Sequence, residues 1–297
     1  TPISGGSLAC NGTTTYTIAA ANRCVVTTLE IGAETVVKAT AQNALQTTTI
    51  TGEGTLIGVG HLVSGTVSED WTGVVRFEDV ASYTYLNLSN YGNAQSKIEL
   101  KNLGTADGNV YLVNSTYEVT ADLKLEGANY INNGFYTNSY TFSGDLTGDG
   151  SLTWGTYGTP NDSYFFTGDL SGFTGSLTQL RANRIVLGNN TNVTQEALTI
   201  DGTTTWNGTL TANAERYIRV MGSAILSGSG TLASNVTFQA GATLDVTAGT
   251  NLTVAEGKTV TLPDALTVKL PVDAEMPVTI LSTTAFAGSE GLDDCVV

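Results

Sequence analysis

The stretch Leu146-Thr147-Gly148-Asp149-Gly150-Ser151-Leu152-Thr153-Trp154-Gly155 can be read as a phosphate cradle, a metal loop or a turn. Its relatives in the same chain decide among these. The pattern apolar, hydroxyl, Gly, any residue, Gly, hydroxyl, Leu occurs three times, at Ile50 to Leu56, Leu146 to Leu152 and Leu226 to Leu232. Between the glycines stand Glu53, Asp149 and Ser229, so the segment does not require a carboxylate. The shared part is two glycines, a hydroxyl and a leucine, which describes a tight turn feeding a strand whose leucine points inward. A dinucleotide loop would need G-x-G-x-x-G opening a helix, and that is absent.

A second element follows the first two copies: Trp71-Thr72-Gly73, then Phe166-Thr167-Gly168 and Phe173-Thr174-Gly175. An aromatic before Thr-Gly suits a strand end that packs its ring inward and then turns. Between these marks the apolar residues alternate, as in Leu244, Val246, Leu252, Val254, Val260 and Leu262, with Gly and Asn in the gaps. That is the signature of many short strands. Only Ala33 to Leu45 resembles a helix, and Thr35-Val36-Val37 argues against it there. So many short strands leave many edges, and stacking each coil on the one before pairs them all around a continuous core. The expected fold is therefore all-β, a right-handed parallel β-helix; a β-sandwich or jelly roll is the alternative. Residues 1–49 are expected to cap the solenoid, 50–270 to form it, and 271–297 to end as a strand or tail.

Composition limits the partners. The 27 acidic side chains outnumber the 12 basic ones, for a net charge of −15, and only 13% of residues are charged. Such a surface repels phosphate backbones and anionic lipids, so neither nucleic acid nor membrane is expected as a partner. No apolar run reaches the roughly 20 residues of a membrane span, and the opening residues lack the basic-then-apolar order of a signal peptide, so the chain reads as a mature or trimmed product. Cys10 and Cys24 lie outside any C-x-x-C pair. They are either a disulfide, as expected outside the cell, or two buried thiols; Cys295 stands alone.

The segments FSGDLTGDGSLTWG (Phe142 to Gly155), YFFTGDLSGFTGSLTQL (Tyr164 to Leu180) and AILSGSGTLASNVTFQAGATLDV (Ala224 to Val246) resemble the passenger-associated transport repeats of autotransporter-type surface proteins. The resemblance covers about a third of the chain. It departs from the family at Thr153-Trp154-Gly155, where a Lys-x-Gly is usual, and no membrane β-barrel follows the repeats. What it implies is a right-handed parallel β-helix exported to the cell exterior or bacterial surface, with glycans or host mucus as the partner class.

The chemistry-bearing residues are few. The single histidine, His61, would have to serve every triad role, which disfavours nucleophilic hydrolysis. No cofactor or metal motif is present; a calcium loop needs oxygen ligands at alternate positions. If the chain is an enzyme, a carbohydrate hydrolase or lyase, Asp145, Asp149 and Asp169 are the expected carboxylates, brought together by stacking. They are otherwise solvated turn residues. Tyrosines and phenylalanines recur in Asn/Gly-rich stretches, and Tyr136, Tyr157 and Tyr164 are the candidate sugar platforms; the alternative is rings lining the core. The leading expectation is an adhesin-like, non-catalytic scaffold. A structural spacer or filament segment that self-associates is the third reading.

Overall fold

The computed structural model describes residues 3–41, 44–58, 65–80, 84–105, 110–112, 116–132, 139–155, 163–180, 184–188, 198–272, 281–283 and 286–287. They form a β-solenoid of about 10 turns, built from parallel sheets. No α-helix is found among them; two single-turn 3-10 segments occur, Ala20–Asn22 and Leu88–Asn90. The stretch considered for a helix instead holds the strand Val36–Ala39. A sandwich or jelly roll would need antiparallel neighbours, whereas here each strand pairs in parallel with its counterpart one coil away.

A five-stranded sheet runs from Ile3–Ser4 and Ser7–Cys10 to Thr66–Val67. Beside it an early seven-stranded sheet runs from Thr15–Ile18 to Leu146–Gly148. Further along, a nine-stranded sheet spans Thr116–Val119 to Phe286–Ala287, and a late seven-stranded sheet spans Ala128–Ile131 to Leu281–Ser282. A four-stranded sheet, Thr203–Thr205 to Thr267–Lys269, completes the third side of the later coils. Stacking starts well before residue 50, since Cys24–Ile31 pairs residue for residue with Leu45–Gly52.

Stacking in register converts the period-two alternation into columns. Leu152, Leu177, Leu210, Leu232 and Val254 sit directly over one another. Val37, Leu56, Val75, Ile98, Leu123 and Leu146 form a second column. All of these are buried in one cluster extending from Cys10 to Val260. A slip of one residue would turn a whole column to solvent, so the pattern itself fixes the register.

The glycine segment is a corner. The first glycine of each copy has a positive φ: Gly52 at 106°, Gly148 at 101° and Gly228 at 116°. The second donates its N–H to a carbonyl one coil below, Gly54 to Ile31 (3.1 Å), Gly150 to Leu125 (3.1 Å) and Gly230 to Trp206 (3.0 Å). The residue between them is exposed in all three copies, which explains why its identity is free to change. The same corner serves two places: Gly52 to Gly54 leads into the early seven-stranded sheet, the other two copies into the late one.

For Trp71 and Phe173 the aromatic element is the next coil of the same corner, whereas Phe166-Thr167-Gly168 follows the strand Ser163–Phe166, with Thr167 N–H donating to Phe142 O (2.8 Å). Thr72 N–H donates to Gly52 O (3.2 Å), and Thr174 N–H to Gly148 O (2.9 Å). Trp71, Phe166 and Phe173 are buried, as their position before Thr-Gly predicts. The stacking also exposes a copy hidden in the sequence, Trp206-Asn207-Gly208, in which Asn replaces Thr. Gly150, Gly175, Gly208 and Gly230 thus form a column over four coils. Each backbone passes so near the one below that an added Cβ would fall inside the 3.0 Å that real Cβ atoms respect. A repeat spaced by one coil, with a glycine where two backbones meet, is what the sequence periodicity records.

Candidate functional site

The three expected carboxylates separate into two groups. Asp145 and Asp169 stack on one corner, above Asp122. Asp122 Oδ1 accepts the N–H of Asp145 (3.1 Å), and Asp145 Oδ1 accepts the N–H of Asp169 (3.1 Å). Asp169 in turn accepts from Ser171 N–H (2.8 Å) and Ser171 Oγ (2.9 Å). Those bonds from Ser171 hold the Asp169 carboxyl below its usual range. A glycosidase acid must instead be kept protonated at working pH, so Asp169 is unsuited to that role. Asp149 lies at the other end of the strand Leu146–Gly148, about 13 Å of chain from Asp145, exposed at the glycine corner.

Because Asp169 is depressed, its contribution to stability is present above the unfolded carboxyl range and lost as pH falls below about 4. Asp245 behaves alike, held down first by the hydroxyl of Thr247 and also by Lys269. Asp169→Ala is expected to cost no more than about 1 kcal/mol at pH 6, the scale of one exposed side-chain cap. The gap between mutant and parent should be narrower at pH 3. Urea midpoints at both pH values check this; a gap that widens in acid would contradict the assignment.

Tyr164 corrects an expectation. It is fully buried, stacked on Tyr140 (5.8 Å between ring centroids, 7° between planes) and against Trp154 (4.2 Å). A ring in the core cannot lie against a sugar. Tyr136, Tyr157, His61 and Cys295 lie outside the described residues. Cys10 and Cys24 are buried free thiols rather than a disulfide. Burial pushes both up, with the neighbouring Cys24 adding to the shift at Cys10. Among the described residues, no group of three or more His, Cys, Asp or Glu is placed to hold a metal ion.

Charge is concentrated on the outer face of the early seven-stranded sheet. Lys38 pairs with Glu78 (2.5 Å), Arg76 with Glu99, Lys101 with Glu126 (3.7 Å), and Lys124 with Glu126 (2.5 Å). The Lys124 hydrogen bond lowers Glu126, and the same bond raises Lys124. Acid alternates with base from coil to coil, so Lys38, Arg76, Lys101 and Lys124 on this face already have carboxylate partners.

A cleft among the described residues lies elsewhere, on the corner between the late seven-stranded sheet and the nine-stranded sheet. Turn length creates it. From Thr209–Thr211 to Ile218–Val220 the chain takes residues 212–217, from Leu252–Val254 to Val260–Thr261 it takes 255–259, and between them Thr231–Leu232 reaches Val236–Phe238 through 233–235 alone. The short turn sits below its longer neighbours, leaving a cleft of about 320 Å³. That is near the lower end of the roughly 300–1,000 Å³ usual for small-molecule sites.

Short tethers hold the floor and walls. Ala212 N–H donates to Ser234 Oγ (2.9 Å), Thr259 N–H to Asn235 Oδ1 (3.0 Å), and Asn213 N–H to Gln179 Oε1 (3.3 Å). The Asn213 side-chain amide donates to the Leu180 carbonyl. Thr178, Thr211, Arg216 and Lys258 add hydroxyls and positive charge to the lining. Leu180, on the wall, and Tyr217, next to Arg216, are two of the few large apolar side chains exposed in the described structure. The Arg219 guanidinium lies over the Tyr217 ring (5.4 Å to its centroid) and donates to its hydroxyl (2.5 Å). Nothing in the sequence reading singled out these residues; the signal was the unequal length of turns between otherwise regular strands.

The architecture is compatible with a passenger-like β-helix. Comparison of the chain with protein-family models, with curated proteins and with solved structures gave no match.

Proposed function

We propose that the chain is a secreted or bacterial cell-surface β-solenoid that works as an adhesin-like, non-catalytic scaffold, contacting glycans or other extracellular host or matrix components through the corner cleft. The observation that carries this reading is the lining of the cleft. Amides and hydroxyls from four coils converge beside the exposed Leu180, and the exposed Tyr217 directly follows the lining residue Arg216 in the chain. A sugar presents the matching surface, hydroxyls around its edge and C–H groups on its faces. The stack supports it, because each lining turn is tied to the next coil and little ordering is left for binding to cost. The non-catalytic part rests on Asp145 and Asp169, whose side chains accept backbone N–H groups from the coil above and from the next turn.

An immobilised glycan panel tests this. Parent protein should bind a subset of glycans, and Tyr217→Ala should weaken that binding about tenfold, or 1.4 kcal/mol, the upper range for one aromatic contact. Unchanged binding in Tyr217→Ala would remove the cleft from the reading. Release of reducing or unsaturated ends from a polysaccharide, abolished by Asp145→Asn, would replace the scaffold with an enzyme.

A further inference from the structure

The cleft contains two of the chain's 12 basic side chains, Arg216 and Lys258, and no carboxylate lines it. Elsewhere Lys38, Arg76, Lys101, Lys124 and Lys269 each face a carboxylate, and Arg184 and Arg219 donate to the hydroxyls of Ser163 and Tyr217. Arg216 and Lys258 form neither an ion pair nor a side-chain hydrogen bond among the described residues. The carboxylates of the same turns, Glu215 and Glu256, are exposed and stand outside the lining.

Placement matters as much as charge. Arg216 comes from the long turn 212–217 and Lys258 from the long turn 255–259, with the short turn 233–235 between them. The two are therefore two coils apart, roughly 10 Å along the stack. Both residues belong to the lining of the cleft, one from each long turn. In a molecule of net charge −15 that has acids to spare, two unmatched cations facing one polar cleft are a place built to receive a negative group.

We infer that the cleft binds an acidic saccharide. Its carboxylate or sulfate lies between the Arg216 guanidinium and the Lys258 ammonium, and its ring hydroxyls face the partly exposed hydroxyls of Thr178 and Thr211. Arg216 supplies a planar pair of donors suited to either oxyanion, and Lys258 a compact charge. The inference rests on the glycan reading above and names the class of glycan.

The test is equilibrium binding to the full chain of four probes: an oligogalacturonate, which carries only carboxylates; a sulfated galactan oligosaccharide; a neutral galactan of the same length; and inorganic sulfate. At least one acidic probe should bind more tightly than the neutral one. Arg216→Gln and Lys258→Gln should each weaken it about tenfold, the scale of one hydrogen bond to a charged group. Binding should also fall as salt is raised, since both charges are near solvent. Lys97→Gln, which removes an exposed charge on the early seven-stranded sheet, should leave binding unchanged. Carboxylate-only and sulfate-only probes tell which acid is preferred. Equal binding of neutral and acidic probes, indifferent to both cleft variants, would overturn the acidic class and leave glycan binding standing. Binding of inorganic sulfate with no sugar bound, or no binding at all, would overturn the inference and the glycan reading together.

Discussion

Gly175→Ala and Gly148→Ala are each expected to lower stability by more than about 3 kcal/mol, while Asp149→Ala, between two of the same glycines, should stay within about 0.5 kcal/mol. Gly148 combines a φ of 101° with a backbone carbonyl, that of Leu125, where the new Cβ would sit. The left-handed conformation alone costs a side chain about 1–2 kcal/mol, and forcing a methyl into a filled space about 1–3 kcal/mol more. Gly175 has no unusual φ, but it is wedged between Gly150 below and Gly208 above. An added methyl on Gly175 would meet Gly150 O and must push the coil away from the one below, stretching the bond Ser176 N–H to Gly150 O (3.2 Å). Urea unfolding followed by circular dichroism measures both effects. A solenoid can lose its coils in stages, so the midpoint of the first transition is the quantity to compare. Midpoints for Gly175→Ala and parent that coincide would mean that the coils are not in contact at the glycine column.

Asn129→Leu is the second large effect, expected to cost about 2–4 kcal/mol although it improves the apolar pattern. Asn129 is fully buried and pairs in register with Leu152, so it stands at the foot of the leucine column where a leucine would continue the series. Its side-chain oxygen accepts the Leu103 N–H (3.1 Å), and its amide donates to the carbonyls of Glu126 (3.1 Å) and Ser151 (3.1 Å). Leucine fills the space and satisfies none of these groups. Each buried polar group left without a partner costs about 1–3 kcal/mol, more than the added apolar surface returns. Asn129→Asp should be no better, because a carboxylate loses both donors and buries a charge. Hydrogen exchange at the Leu103 amide reports on the site directly. Protection as slow in Asn129→Leu as in the parent would show that the N–H has another partner.

These two sites show how legibility divides. The glycine column was readable because its rule is local: a corner of this shape needs glycine at two fixed positions, three copies preserve them, and Glu53, Asp149 and Ser229 vary because they face solvent. Trp206-Asn207-Gly208 was missed because asparagine stands where threonine was expected, although its backbone does the same thing. Asn129 was unreadable because nothing along the chain announces that its amide bridges three separate coil segments. Tyr164 misled for the same reason. In sequence its neighbours are Asn, Gly and Ser, typical of a surface loop, yet in space they are Tyr140 and Trp154.

The amino-acid sequence by itself determined the β-solenoid. Alternation at period two, and a glycine corner repeated along the chain, are properties of neighbouring residues, and stacking follows from the need to pair every edge. Only the tertiary structure decided which residues meet across coils. Asp145 and Asp169 became backbone acceptors, and Gln179, Asn213, Arg216, Ser234 and Lys258, scattered over some eighty residues, came to share one cleft. The reason is that a cleft on a solenoid depends on differences in turn length between successive coils. Such a difference has no local signature, and it acquires meaning only when the coils lie about 4.8 Å apart.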